Sequence, residues 1–149
     1  MIAFRPYRES DRVDVARLWF ESSLTSIPDE PTPDGWDKVL FDRIPSELAA
    51  GWTLLLATED EKIVGMLAYF RDKEHLHQLF VDPVCQSRGV GKALLDKAKT
   101  GMPGGFWLHT MVRNTRAKRF YEREGLRHTS DGPHPIHPES RVSFYEWKP

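Results

Sequence analysis

The segment Gln86-Ser87-Arg88-Gly89-Val90-Gly91-Lys92 follows an apolar run and opens an amphipathic one with helical spacing. Its two glycines carry no Cβ, so a ligand can come close to the backbone. The first amides of the following helix would meet that ligand from the positive end of the macrodipole. Such a loop binds an anion. On the strand-like run before it, His75 and His77 stand two residues apart and project from one face, where imidazoles can exchange protons.

Spacing separates three kinds of anion-binding loop. A Walker-type loop needs Gly six residues before Lys92 and Ser or Thr after it, but those positions hold Gln86 and Ala93. A dinucleotide loop begun at Gly89 and Gly91 needs Gly or Ala where Leu94 stands. What remains is Q-x-x-G-x-G after Val81-Asp82-Pro83, which resembles the acetyl-CoA signature of the GNAT acyltransferase superfamily. Further on, the residues from Asn114 to Leu126 include Ala117, Phe120, Tyr121 and Gly125. Taken alone they describe a helix capped by Asn114 and ended by Gly125, with its apolar residues on one stripe. The same residues match the superfamily's N-x-x-A-x-x-F-Y-x-x-x-G-(F/L) segment. The resemblance covers nearly the whole chain, since Ile2-Ala3-Phe4-Arg5-Pro6-Tyr7 also falls where such a domain begins.

The resemblance implies an N-acetyltransferase that moves an acetyl group from acetyl-CoA to a primary amine directly within a ternary complex. It puts Gln86, Ser87, Arg88, Gly89, Val90, Gly91 and Lys92 around the pyrophosphate, and backbone groups of Leu79, Phe80 and Val81 along the pantetheine arm. The Leu79 amide would polarise the thioester carbonyl, and Asn114 would help position the arm. Tyr121 takes the place of the superfamily tyrosine that protonates the departing thiolate. His75 and His77 resemble a histidine pair tied to water-mediated proton removal in arylalkylamine N-acetyltransferases, with Glu74 as the fallback base. The acceptor's identity and the length of the acyl chain stay open, as does a noncatalytic acyl-CoA-binding module in place of an enzyme.

Other residues carry less. Cys85 is the one cysteine, so no internal disulfide can form, which agrees with a reducing compartment, and no catalytic signature surrounds it. His128, His134 and His137 fit no common zinc spacing, so no metal is expected. Trp19, Phe20, Trp36 and Trp52 suit either the core or an acceptor pocket, and 27–36 and 132–140 suit substrate lids.

With 149 residues the chain is expected to form a single domain, 1–149. Its 21 Lys plus Arg nearly balance 22 Asp plus Glu, which gives no field for nucleic acid or an anionic membrane. Neither a secretory apolar segment nor an apolar run of spanning length is present, so a cytoplasmic location is expected. A homodimer is compatible with the fold.

Periodicity and turn chemistry then give the elements. Strands are expected near 2–7, 52–58, 63–70, 75–81, 106–111, 126–131 and 141–147. Helices are expected near 11–26, 34–49 with an interruption at Pro45, 89–100 and 115–124, the first capped at Ser10-Asp11. The order β-α-α-β-β-β-α-β-α-β-β is an α/β fold with a mixed sheet flanked by helices, and it matches the GNAT arrangement. In that fold the strands ending near Val81 and Met111 splay apart to admit the pantetheine.

Overall fold

A computed structural model describes residues 1–26, 31–86 and 88–149. Ser87 and the part of the expected lid at 27–30 lie outside the described residues. The expected order of elements is the order observed: β1 (Ile2–Pro6), α1 (Arg12–Ser26), α2 (Trp36–Ala49), β2 (Thr53–Glu59), β3 (Lys62–Phe70), β4 (His75–Val81), α3 (Val90–Gly101), β5 (Phe106–Met111), α4 (Thr115–Arg123), β6 (Arg127–Pro133) and β7 (Arg141–Trp147).

The strands form one sheet in the order β1-β2-β3-β4-β5-β7-β6. Every neighbouring pair is antiparallel except β4 and β5, which run parallel and share the single register pair His75↔Trp107. Past that pair the two strands part. The sheet separates two apolar layers. Leu94, Leu95 and Ala98 of α3 and Tyr121 of α4 pack on one face, and Val15, Leu18 and Trp19 of α1 with Leu40 and Ile44 of α2 pack on the other.

Two local features depart from the expected boundaries, each for a physical reason. A proline inside a helix removes one N–H and leaves the carbonyl four residues back without its donor. Helix α2 nevertheless runs through Pro45 without a break. The Arg12 Nε–H, reaching across from α1, donates to that carbonyl of Phe41 at 3.0 Å, and the guanidinium lies over the Phe41 ring at 3.8 Å. At the start of α1, Asp11 does not cap the helix from outside. It closes a 3-10 turn, Glu9–Asp11, by accepting the Arg8 N–H at 2.8 Å.

The same Asp11 carboxylate takes two hydrogen bonds from Arg5, each 2.8 Å. Arg5's hydrogen bond, helped by the Arg8 amide, outweighs burial and holds the acid below its usual range. Asp11→Asn is therefore expected to cost about 1–3 kcal/mol of stability at neutral pH. The folded pKa is depressed, so this stabilisation is present above the unfolded pKa of about 3.9 and is lost as pH falls through the folded value. Urea unfolding of both proteins along a pH series checks it: the difference should persist at neutrality and close in acid.

Candidate functional site

Three groups of residues lie on β4, on the loop that follows it and on α4. The first is the loop between β4 and α3. Asp82 accepts the Val84 N–H at 3.0 Å and starts a 3-10 turn, Pro83–Cys85, that swings the chain away from the sheet. Gly89 then adopts φ +84, a left-handed conformation that disfavours any side chain, as the residue before α3. The first hydrogen bond of α3 runs from Ala93 N–H to Gly89 C=O at 3.1 Å, so the amides of Val90, Gly91 and Lys92 precede the helical ladder and face the loop. Val90 contributes backbone only, because its side chain is in the core.

The side chains of Gln86, Arg88 and Lys92 are already engaged. Gln86 Nε2–H donates to the Val81 carbonyl at 3.2 Å, and Ser22 Oγ–H donates to the same oxygen at 3.3 Å. Arg88 pairs with Glu59 at 2.9 Å, and Lys92 lies 3.3 Å from Asp96 and 3.7 Å from Glu124. An incoming phosphate would have to compete with the half-buried Glu59 for Arg88 and with the exposed Asp96 and half-buried Glu124 for Lys92, while both cations are themselves exposed to solvent screening.

The second group comes from α4. Asn114 caps it, its Oδ1 accepting the Ala117 N–H at 3.1 Å, which leaves the amide nitrogen for other partners. Phe120 reaches the first turn of α3: a Cβ at Gly91 would sit 3.5 Å from the Phe120 ring, an ordinary van der Waals contact. That contact brings α4 beside the anion loop. Next to Phe120, Tyr121 is buried, with ring centroids 5.3 Å from Phe120 and 6.1 Å from Tyr145, and burial raises its pKa. The phenol therefore stays protonated at any ordinary pH.

The third group is a line of imidazoles. In the register of β3 with β4, Ala68 faces Gln78 and Tyr69 faces Leu76, so His77 is the extra residue of a bulge. Leu76 points into the core, and the His75 and His77 rings meet at 5.5 Å on the opposite face. Trp52 Nε1–H donates to His77 Nδ1 at 2.9 Å. Because that indole nitrogen can only donate, Nδ1 is an acceptor and the neutral ring carries its proton on Nε2. Glu47 Oε2 lies 3.3 Å from the same Nδ1, an approach of two acceptors that becomes an ion pair only if His77 is protonated. His75 stacks on Trp107 at 3.9 Å with planes 4° apart. Burial first, then the neighbouring imidazoles and Lys73, push His75 down to about 3. Burial first, then Arg43, His109, Lys73 and His134, push His77 down to about 4.

The line continues with His109, which the sequence did not single out, and His134, weighed there only as a metal ligand. His109 on β5 lies 5.8 Å from His75, and His134 lies 4.8 Å from His109. The only sequence signal was that Trp107 and His109 stand two apart on a strand, the same logic that paired His75 with His77. Glu74 sits in a left-handed turn before β4, its carbonyl accepting the Trp107 N–H at 2.9 Å, and its exposed carboxylate lies beside Gly104, not beside the imidazoles. Of the four aromatics weighed for a pocket, Trp19 and Trp52 are buried and in ring contact at 5.6 Å, whereas Phe20 and Trp36 are half-buried against the same apolar layer. Among the described residues no group of three or more His, Cys, Asp or Glu is placed to hold a metal ion, and no helix is long and apolar enough to cross a membrane.

Residues 14–126 match the model of the Acetyltransferase (GNAT) family. The chain is 36% identical over 74 residues to the peptidyl-lysine N-acetyltransferase YjaB of Salmonella typhimurium, a match covering 48% of each protein, so it spans about half the length of this curated relative. The solution structure of apo YjaB from Escherichia coli superposes with a TM-score of 0.78 at 20% identity, covering 99% of this chain and 97% of that one. The PaiA N-acetyltransferase of Thermoplasma acidophilum, solved in complex with coenzyme A, also gives a TM-score of 0.78, at 16% identity over 100% of this chain and 99% of that one. At these identities the structural likeness concerns the fold.

Proposed function

From the premise that this chain belongs to the GNAT acetyltransferase family, we propose that it transfers an acetyl group from acetyl-CoA to a primary amine, directly and without an acyl-enzyme. What supports this reading beside the family match is that the chain carries uncommitted first-turn amides on α3, a buried phenol at Tyr121 on α4, whose neighbour Phe120 lies beside Gly91, and the imidazoles of His75 and His77 on β4 where it pairs with β5. The pyrophosphate sits on the Gln86 to Lys92 backbone. The pantetheine arm lies along Leu79 and Phe80, since the Val81 carbonyl already accepts two protein hydrogen bonds. Asn114 turns its free amide toward the arm.

An ordinary amine of pKa about 10.4 is neutral in roughly one molecule per 10³ at pH 7, a handicap of about 4–5 kcal/mol. Imidazoles of depressed basicity would not strip such an ammonium in water. The cleft that lowers their pKa acts on the ammonium in the same direction, by up to about 3–5 units for full burial, and so narrows the gap. The neutral amine then attacks the thioester carbonyl held by the Leu79 amide. Tyr121 supplies a proton to the leaving thiolate, and because burial makes the phenolate costly, that proton must be replaced as it departs.

Thiol release tests the reading. With acetyl-CoA and a panel of amines, acceptor-dependent appearance of free CoA supports the transferase. Tight acetyl-CoA binding with no release by any amine would favour a noncatalytic binding module, and absence of binding to folded protein would sink both. Within that assay, Arg88→Ala is expected to weaken acetyl-CoA binding by about 10-fold, as for loss of one charge-assisted hydrogen bond, with kcat little changed. Calorimetry reads the first and saturation kinetics the second.

A further inference from the structure

We propose that His109 on β5 is a second proton acceptor for the substrate nitrogen, and that His134 is a positioning residue that holds its ring; the inference rests on the acetyltransferase reading. The chemistry calls for two such groups. An ammonium loses one proton before attack, when the N–H electron pair returns to nitrogen. It loses another after the C–N bond has formed, when the nitrogen of the tetrahedral adduct is again positive. As the C–S bond breaks, its electron pair leaves on sulfur, which takes the Tyr121 proton. Of the two protons taken from nitrogen, one returns to the Tyr121 oxygen and the other goes to solvent, so the net yield is amide, CoA thiol and one proton. One imidazole lone pair holds one proton at a time.

Hydrogen bonding decides which imidazoles have a lone pair to offer. His77 Nδ1 is committed to Trp52. His134 Nδ1 accepts the backbone N–H of Ile136 at 3.0 Å and of His137 at 3.1 Å. Both rings are thus fixed as Nε2–H donors and can take a proton only by giving up those bonds. His75 and His109 have no hydrogen bond to either ring nitrogen among the described residues. They stand 5.8 Å apart on the two strands that part there, and both are half-buried. His134 meets His109 edge-on, at 73°, so it holds the ring without stacking over it.

The titratable and charged groups around this line are His75 and His77 of β4, Lys73 before β4, Arg43 and Glu47 of α2, and His134, His137 and Glu139 between β6 and β7. None of the carboxylates bonds to His109. Burial first and His134 second push it down to about 4, which leaves its lone pair available at neutral pH.

Single-turnover and steady-state thiol release by wild type, His109→Ala, His109→Gln, His134→Ala and the His109→Ala/His134→Ala double variant test the proposal. His109→Ala should lose about 10–100-fold in kcat, toward the low end of general-base effects, with acetyl-CoA affinity unchanged. Added imidazole should restore much of that rate in His109→Ala but not in His109→Gln, whose side chain fills the space. The double variant should be no slower than His109→Ala, because His134 acts only through His109. Wild-type turnover in both His109 variants, or a loss that imidazole does not rescue, would overturn the role while leaving the transferase intact. A wild type that binds acetyl-CoA yet releases no thiol with any amine would overturn the transferase reading and this role with it.

Discussion

Tyr121→Phe is expected to lower kcat by about 10²–10³-fold while acetyl-CoA affinity stays within about twofold. The substitution deletes one oxygen and keeps the ring that packs against Phe120 and Tyr145, so the core should survive it. What disappears is a donor that burial keeps protonated at every working pH. The loss should fall on kcat and kcat/KM together, the pattern of an interaction made only as the thiolate develops. It should also depend on the leaving group: a thioester with a more acidic thiol needs less protonation and should recover part of the rate. Equal loss with all thioesters would make the tyrosine a packing residue.

The second large effect is expected at the β4 histidine that keeps a lone pair. His75→Ala should reduce kcat/KM by about 10²-fold or more, within the range for general-base groups. His77→Ala should act mainly through stability, since it leaves the Trp52 N–H without its acceptor in a half-buried site. Thermal melts separate the two. The pH profile gives an independent reading. With His75 near 3 and His77 and His109 near 4, wild-type kcat/KM should show no step at the ordinary histidine pKa of about 6.5 and should instead follow deprotonation of the amine. The same depressed values bear on folding. Stability conferred by neutral imidazoles is complete above the unfolded pKa of about 6.5 and is lost as pH falls toward the folded ones.

Much of the molecule was legible because its signals are short-range. Alternation in Phe106-Trp107-Leu108-His109-Thr110-Met111 places that strand within its observed bounds. The polar turn at Asp60 and Glu61 closes the β2–β3 hairpin with φ of 51° and 67°, the left-handed pair that a tight turn requires. Asn114 announces its helix because a cap bonds to an amide only three residues away. The anion loop is legible for the same reason, since glycines, helix start and preceding strand are contiguous.

Pro45 marks where that reasoning ends. From the chain alone it interrupts a helix, and only the packing of α1 on α2 supplies the Arg12 donor that satisfies Phe41 and lets the helix continue. The imidazole line makes the same point. Residues 75 and 77 declare themselves as a pair, but His109 and His134 join them only once β5 lies parallel to β4 and the β6–β7 loop folds over it. Which nitrogens hold protons is set by Trp52, from β2's approach, and by amides of that loop. Local periodicity, capping and loop chemistry, which act over a few residues, were thus settled by the sequence itself. Hydrogen-bond partners and basicity at the site depend on burial and on neighbours distant along the chain, and these the tertiary structure alone decided.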